Sequence, residues 1–230
     1  MAASFMHRFT AEECALARDF AEKSKSRGKF YAAKRASRSR KTTTDIENGA
    51  LGEFAAQRLL RNMFGEHADV TQVDLEVYEV RQKSWDPDLT VTFIQDGDSL
   101  EPIRVHVKTF VCDRYPHIPP SWVFQKGGGG DQCDKDLARI KPGGNATDWF
   151  IGVLGCVSDP EKRKSDGLAR ETAVADYGVV YGPYQMQTIV DNKMWREPEA
   201  VTLQNMGNRR VLWALDLQEQ VPPILGFHEE

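Results

Sequence analysis

Apolar residues near the start of the chain recur at the spacing of a helix. Residues 10–23 predict a helix in which Thr10 is the N-cap and Glu13, three residues later, completes a capping box. A clearer stripe crosses residues 45–63 at three- and four-residue intervals, which predicts a second helix. Its apolar members are Leu51, Phe54, Ala55, Leu59 and Met63.

Two glycines, Gly49 and Gly52, interrupt the second predicted helix beside Glu53. A glycine inside a helix costs about 1 kcal/mol relative to alanine. We therefore expect another backbone, or a ligand, to come close to the helix at these two positions.

Beyond residue 70 the apolar residues alternate with polar ones, which predicts strands. The predicted strands are Thr71–Val80, Asp88–Ile94, Ile103–Val111, Ser121–Gln125 and Asp148–Val157. A short helix is predicted near Asp134–Ile140, and the tail has further apolar stretches at Tyr177–Tyr181, Met186–Val190 and Val211–Leu217. Helices followed by strands and a mixed tail predict an α/β or α+β fold. We expect an N-terminal helical and basic arm at 1–43 and one domain at 44–230, with its core at 45–157 and a C-terminal extension at 158–230.

Charge changes this picture because it is unevenly distributed. The net charge is −4, yet residues 22–41 hold nine lysines and arginines against one acidic residue. Taken alone, such a run is as well explained by a solvated surface as by a binding segment, but it can supply phosphate contacts locally. The residues expected to contact DNA are Lys34, Arg35, Arg38, Arg40 and Lys41.

The composition, 40% hydrophobic and 28% charged residues, is that of an ordinary globular protein. No apolar run approaches the roughly 20 residues of a membrane span, and the N-terminus lacks the order of a secretory signal. The four cysteines form no CxxC pair, so a cytoplasmic protein with reduced thiols and no membrane partner is expected.

Two other motifs give weaker indications. Cys112, His117 and Cys133 have no zinc-finger spacing and no clear fourth ligand, so buried or idle thiols are favoured over a zinc site. The glycines at Gly127–Gly130 are not followed by Lys-Ser/Thr, which excludes a phosphate-binding loop of that type and favours a mobile loop.

The strands Asp88–Ile94 and Ile103–Val111 are predicted to form a hairpin with two chemically different faces, because side chains alternate along a strand. The predicted core face consists of Leu89, Val91, Phe93, Ile103, Val105 and Val107. The opposite face carries Asp88, Thr90, Thr92, Arg104, His106 and Lys108. A carboxylate, an imidazole and an ammonium group on one face indicate either an open surface or a site.

Such a face suits phosphodiester hydrolysis. Carboxylates hold Mg²⁺, which keeps several waters and lowers the pKa of a bound water. A nearby lysine can position that water or offset negative charge in the transition state. Glu53, on the helix with the glycines, is the natural second carboxylate.

The order of these residues resembles the PD-(D/E)XK nuclease superfamily, which has a restriction-endonuclease-like core with a mixed central β-sheet flanked by helices. The resemblance rests on Glu53 in GALGEFAAQRLL, Pro87-Asp88 in WDPDLTV and His106-Val107-Lys108 in RVHVKTF, and it covers roughly residues 45–157. It implies that Asp88 and Glu53 bind the metal, with the Val107 carbonyl as a further ligand. It also implies that Lys108 assists the attacking water.

One position departs from the family pattern, since His106 stands where an acidic residue is usual. Histidine can bind a metal but suits Mn²⁺ or Zn²⁺ better than Mg²⁺. His106 is therefore an uncertain metal ligand, and a single metal or weaker Mg²⁺ binding is expected.

The leading interpretation is a Mg²⁺- or Mn²⁺-dependent DNA endonuclease, as found among restriction enzymes, homing endonucleases and phage DNases. Two alternatives remain open at this stage. The first is a DNA-binding protein of the same fold that has lost catalysis, and the second is a phage-type protein-interaction factor. DNA is the expected partner, and a homodimer is left open.

Overall fold

The computed structural model describes residues 5–32, 43–77, 87–111, 121–125, 148–158, 174–191 and 209–213. The helices are α1 (Ala11–Ala32), α2 (Thr43–Phe64) and α3 (Met186–Asp191), with a 3-10 turn at Gly65–His67. The strands are β1 (Phe5–Arg8), β2 (Ala68–Val70), β3 (Leu89–Gln95), β4 (Asp98–Ser99), β5 (Ile103–Val111), β6 (Ser121–Gln125), β7 (Trp149–Cys156), β8 (Tyr177–Gln185) and β9 (Arg209–Trp213).

A mixed sheet forms the centre of the fold, with strand order β1-β8-β7-β5-β3-β2 and with β4 paired to β3. Among its described strands, β5 and β7 run parallel and the other neighbouring pairs are antiparallel. A parallel pair needs a crossover connection, whereas β2, β3 and β5 can follow one another as a meander. The expected mixed α/β architecture, with a mixed sheet flanked by helices, is therefore confirmed.

The capping box at the start of α1 is confirmed. The Glu13 N–H donates to Thr10 Oγ1 at 3.1 Å, and the Thr10 N–H donates to Glu13 Oε2 at 2.8 Å. These two bonds satisfy backbone donors that the first turn of a helix leaves without partners. The helix continues to Ala32, well past the predicted end at residue 23, so part of the basic stretch is helical.

Helix α2 covers the predicted second helix, and its apolar stripe contacts both the sheet, through Ala55, Leu59 and Met63, and α1, through Leu51 and Phe54. Leu51, Ala55 and Leu59 are buried, while Phe54 and Met63 are partly buried. The residues that α2 buries against β5, β7 and β8 belong to the main core: Ala55, Ala56, Leu59, Leu60, Val105, Ile151, Val153 and Val180. The stripe thus joins α2 to the sheet at one end and to α1 at the other.

The two helix glycines differ, and only one has the close neighbour that the sequence predicts. A Cβ built on Gly52 would fall onto Thr109 Oγ1 of β5, whereas a Cβ on Gly49 would meet nothing within 4 Å. A close approach is found at Gly52, where the neighbour is a side chain and not a backbone. At Gly49 no part of the protein comes close, and the ligand that was the other expectation stays a prediction. At Gly52 the missing side chain lets α2 lie against β5.

Alanine substitutions should therefore change stability in opposite directions at these two positions of one helix. Gly49→Ala removes the entropic penalty of glycine and should stabilise the protein by about 0.5–1 kcal/mol. Gly52→Ala overpacks the contact with Thr109 and should destabilise it by about 1–3 kcal/mol. Urea unfolding followed by circular dichroism measures both. Changes of the same sign would contradict the close contact between α2 and β5.

The predicted strand Thr71–Val80 is wrong over residues 71–77, because the observed strand, β2, ends at Val70. The Thr71 N–H still donates to the Thr90 carbonyl, but the Thr90 N–H donates to the Thr71 hydroxyl instead of to a backbone carbonyl. Three residues later the Asp74 carboxylate accepts the N–H of Glu76 at 2.9 Å. Side chains that bond to nearby backbone compete with a strand ladder, so alternation alone was misleading here.

The sheet face opposite α2 is covered by smaller elements. Strand β6 was correctly predicted as a strand, but it pairs with β9 in a separate two-stranded sheet. Its Trp122 packs with Phe150 and Leu154 of β7, with Tyr184 of β8 and with α3. This second apolar cluster, which is rich in aromatic side chains, lies on the face of the sheet opposite α2, and Phe110 of β5 packs against it.

Regions predicted outside the core also contribute strands to the main sheet. Strand β1 comes from the predicted arm at 1–43, and β8 comes from the predicted extension at 158–230. Strand β8 lies between β1 and β7 and pairs with both. Apolar alternation indicates that a strand exists, but it does not identify the neighbouring strand.

Several sequence predictions lie outside the described residues. They include the proposed DNA-contacting residues at 34–41, the Cys112, His117 and Cys133 set, Gly127–Gly130 and the helix near Asp134–Ile140. Within the described ranges, no helix is both long enough and apolar enough to cross a membrane.

Candidate active site

The candidate site begins where strands β3 and β5 separate. Their pairing runs from Val91 opposite Ile103 to Leu89 opposite Val105, and beyond that point the described residues pair no further strand with β5 on that side. The next residue of the β3 side, Asp88, accepts a hydrogen bond on Oδ2 from the Val107 N–H at 2.7 Å. The carboxylate therefore takes the place of a strand neighbour at this point, which we call the fork.

The Val107 carbonyl points toward the same side of β5 as its N–H. In an antiparallel ladder one residue exchanges both of its backbone bonds with the same neighbour, so its N–H and C=O share a direction. Because the Val107 N–H reaches Asp88, the Val107 carbonyl is also directed to the β3 side of β5. The fork thus combines a carboxylate and a backbone carbonyl, two oxygen donors that Mg²⁺ accepts.

The two faces of the β3–β5 pair are arranged as the alternation predicts. Leu89, Val91 and Val105 are buried in the main core, and Phe93, Ile103 and Val107 pack against it. Extending the observed register by one residue places Asp88 opposite His106. Lys108 follows on the same face of β5, about 7 Å along the strand.

His106 is buried and turned toward β7. Its Nε2 lies 3.0 Å from Oδ2 of Asp148, the residue immediately before β7, and the two side chains are 7% and 1% exposed. Asp148 is fixed in turn by its backbone carbonyl, which accepts the Met186 N–H at the start of α3. The face predicted to be open or a site is therefore covered at His106, while Lys108 beside it is only partly buried.

Glu53 approaches β5 from the other side of the sheet. It directly follows Gly52, which lies against Thr109, and Thr109 belongs to the face of β5 opposite to Lys108. The Glu53 side chain is partly buried. The structure thus places Asp88 and Val107 together at the fork, His106 and Lys108 on one face beside it, and Glu53 on the helix over the other face.

Within the described part of the chain, no group of three or more histidine, cysteine or acidic side chains has a geometry that could hold a metal ion. Mg²⁺ is commonly bound through one or two carboxylates and retains several waters. The Asp88 carboxylate and the Val107 carbonyl are compatible with that mode. The proposed ligand roles of Glu53 and His106 remain predictions.

Asp148 is the polar residue of this region that the sequence did not single out. It was assigned only as the first residue of a predicted strand. Its importance depends on the parallel pairing of β5 and β7, in which Val105 lies beside Trp149 and His106 beside Phe150. A carboxylate directly before a wholly buried strand is the signal that could have drawn attention to it.

A second polar cluster lies between α1 and α2, on a different part of the protein. Burial raises the pKa of Glu47, although Arg18 at 3.5 Å opposes the effect. Burial also raises the pKa of the Cys14 thiol, with Glu47 and Glu13 adding to the rise. A thiol with a raised pKa is a poor nucleophile, so Cys14 has the properties of a structural residue.

Comparisons with known proteins identify no relative of this chain. The chain matches no protein-family model, and searches of curated proteins and of solved structures find no significant match.

Proposed function

We propose that this protein is a divalent-metal-dependent deoxyribonuclease that hydrolyses phosphodiester bonds at the fork. The observation that carries the proposal is the bond from the Val107 N–H to Asp88 Oδ2, which places a carboxylate at the point where β3 and β5 separate. Lys108, the next residue on β5, brings a cationic group to the neighbouring position. A carboxylate and an amine at the divergence of two strands fit the nuclease pattern inferred from the sequence.

The order of elements supports a restriction-endonuclease-like core. Helix α2 is followed by the antiparallel strands β2, β3 and β5, and then by β7, which runs parallel to β5. The helix packs on the face formed by the apolar residues of these strands. The three motif positions follow in the expected order, with Glu53 on α2, Asp88 directly before β3 and Lys108 on β5.

In this proposal Asp88 and the Val107 carbonyl hold Mg²⁺ or Mn²⁺, and Glu53 adds a carboxylate from α2. A cation held there would supply Lewis-acid chemistry, polarising the phosphate and lowering the pKa of a coordinated water. Lys108 orients the attacking water and offsets negative charge as the phosphorus–oxygen bond breaks. Lys34, Arg35, Arg38, Arg40 and Lys41 supply phosphate contacts along the DNA.

Plasmid cleavage tests the proposal directly. The wild type should nick or linearise supercoiled plasmid with Mg²⁺ or Mn²⁺ and should stop when EDTA is added. Lys108→Ala should lower the rate by about 10²–10⁴-fold, the range that a positioned proton-transfer group contributes. Arg58→Ala, an exposed position on α2, is the matched control and should cut like the wild type.

The proposal fails if the wild type leaves the plasmid intact in both metals. It also fails if Lys108→Ala and the control cut equally fast. A gel time course at several metal concentrations separates these results from weak metal binding.

The burial of His106 against Asp148 favours one second candidate, a DNA-binding protein that has lost catalysis. The position usually held by an acid is occupied by a side chain bonded toward β7. DNA binding that persists without cleavage in either metal would support this candidate.

A further inference from the structure

Asp148 combines deep burial with incomplete hydrogen bonding. It is 1% exposed, and its Oδ2 is bonded to His106. Its other oxygen, Oδ1, is buried and has no hydrogen-bond partner among the described residues. A buried carboxylate with a missing hydrogen bond is unfavourable. Stability therefore does not explain why an acidic residue is buried at position 148.

The bond to Asp148 decides which nitrogen of His106 carries a proton. With Asp148 ionised, its carboxylate only accepts hydrogen bonds, so the short Nε2–Oδ2 contact assigns the donor proton to Nε2. The imidazole is held in that state by a partner that is itself fixed, since the Asp148 carbonyl accepts the Met186 N–H at 2.8 Å.

The bond also decides the direction of the ring. Asp148 precedes β7, and β7 and β3 lie on opposite sides of β5. Nε2 of His106 is therefore directed away from the fork, although His106 lies opposite Asp88 in the strand register.

We propose that Asp148 is a positioning residue that acts through His106. Its carboxylate holds the imidazole as the Nε2–H tautomer directed at β7 and so keeps this nitrogen from the cation at the fork. The inference rests on the proposed nuclease function in that the fork is taken to bind the cation. Asp88 and the Val107 carbonyl then remain the oxygen donors, which suits Mg²⁺. Without Asp148, His106 can turn toward the fork and add a nitrogen donor, which Mn²⁺ tolerates better than Mg²⁺ does.

The tautomer can be read by NMR without any measurement of activity. The chain has five histidines, so ¹⁵N-labelled histidine gives few signals, and His106→Gln identifies those of His106. The wild type should show a slowly exchanging Nε2–H signal for His106. This signal should disappear in Asp148→Ala and persist in Asp148→Asn, whose amide oxygen can still accept the bond. If Asp148→Ala does not fold, Asp148→Ser, which is too short to reach Nε2, takes its place.

Metal preference provides the second readout. Calorimetry with the DNA-free protein gives the ratio of the Kd for Mg²⁺ to the Kd for Mn²⁺. This ratio should rise about tenfold or more in Asp148→Ala, the lower end of the effect of outer-shell residues on metal sites. It should return to the wild-type value in the double variant Asp148→Ala/His106→Gln.

Asp176→Ala is the matched control, because Asp176 is likewise an acid immediately before a strand of the same sheet, but it bonds to Ser158. It should change neither the His106 signal nor the metal ratio. The inference is overturned if the His106 Nε2–H signal survives in Asp148→Ala. It is equally overturned if the wild type binds both ions and the ratio in Asp148→Ala stays the same.

The failure of the proposed function would look different. A wild type that binds neither ion and cuts no plasmid contradicts the nuclease and the role of Asp148 in metal preference. The His106 signal would still decide, in that same protein, whether Asp148 orients the ring.

Discussion

Asp88→Asn should retain the fold and lose at least about 10²-fold in the rate of plasmid cleavage, since losing the charge on the proposed metal ligand removes several kcal/mol of transition-state stabilisation. The asparagine side chain has nearly the shape of aspartate, and its amide oxygen can still accept the Val107 N–H that Asp88 accepts at 2.7 Å. It is neutral, however, and holds a divalent cation far less well. The substitution therefore separates the contribution of the Asp88–Val107 hydrogen bond to stability from the proposed contribution of the Asp88 charge to metal binding.

Asp88→Ala provides the comparison, because it removes both contributions. It should be as inactive as Asp88→Asn and also less stable by about 1 kcal/mol, the usual net value of one hydrogen bond. Thermal unfolding followed by circular dichroism measures this difference, and the plasmid assay measures the rate.

The control for both variants is Asp98→Asn on β4, which removes an exposed carboxylate away from the fork. This control should cut at the wild-type rate. Full cleavage by Asp88→Asn at low Mg²⁺ concentration would rule out Asp88 as a metal ligand, whatever the behaviour of Asp88→Ala.

The sequence was informative wherever a local pattern determines the structure. The capping box of Thr10 and Glu13 depends on two residues three apart, and α2 depends on an apolar stripe that needs one large buried surface. The faces of β3 and β5 follow from alternation because one face, with Leu89 and Val105, is buried in the main core. These features can be read without knowing which strands are neighbours.

Features that depend on the neighbouring strand could not be read in this way. The pairing of β8 with β1 and β7 connects segments that are about 170 and 30 residues apart, and nothing local in the alternation specifies it. The contact between His106 and Asp148 has the same origin, since it joins residues 42 positions apart through the parallel pairing of β5 and β7.

The candidate site likewise contains some features that a local sequence pattern predicts and others that depend on neighbouring strands. Asp88 and Lys108 could be assigned to one face from the sequence, because they belong to strands that follow each other in a hairpin. The bond between Asp88 and the Val107 N–H could not be predicted, since it arises where the hairpin stops pairing. His106 was expected on an exposed or functional face, and its burial against Asp148 became apparent only with the parallel pairing of β5 and β7.

Gly152→Ala should cause the largest loss of stability among the glycine substitutions considered. A Cβ on Gly152 would fall onto three carbons of the Trp122 indole, which is 1% exposed and donates from Nε1 to the Val153 carbonyl at 3.3 Å. The indole is rigid and packed on several sides, so it can move only by displacing the two-stranded sheet of β6 and β9. Overpacking of this kind costs about 1–3 kcal/mol, and we expect the upper part of that range.

The effect should extend to the candidate site, because Gly152 lies beside Lys108 in the parallel register of β5 and β7. Displacing the indole opens the face of the sheet that carries Lys108. At about 2–4 °C per kcal/mol for a chain of this size, Gly152→Ala should lower the Tm by roughly 4–12 °C. Gly49→Ala, at the glycine with open space around it, should not lower the Tm.

A double variant identifies the indole as the cause. Trp122→Phe alone should destabilise the protein, because it leaves a cavity and removes the bond to Val153. In that background, however, the smaller ring leaves room for a methyl group, so Gly152→Ala should cost at least about 1 kcal/mol less than it does in the wild type. An equal loss in both backgrounds would mean that the Cβ of residue 152 clashes with something other than Trp122. The packing of β6 on this face of the sheet would then need to be revised.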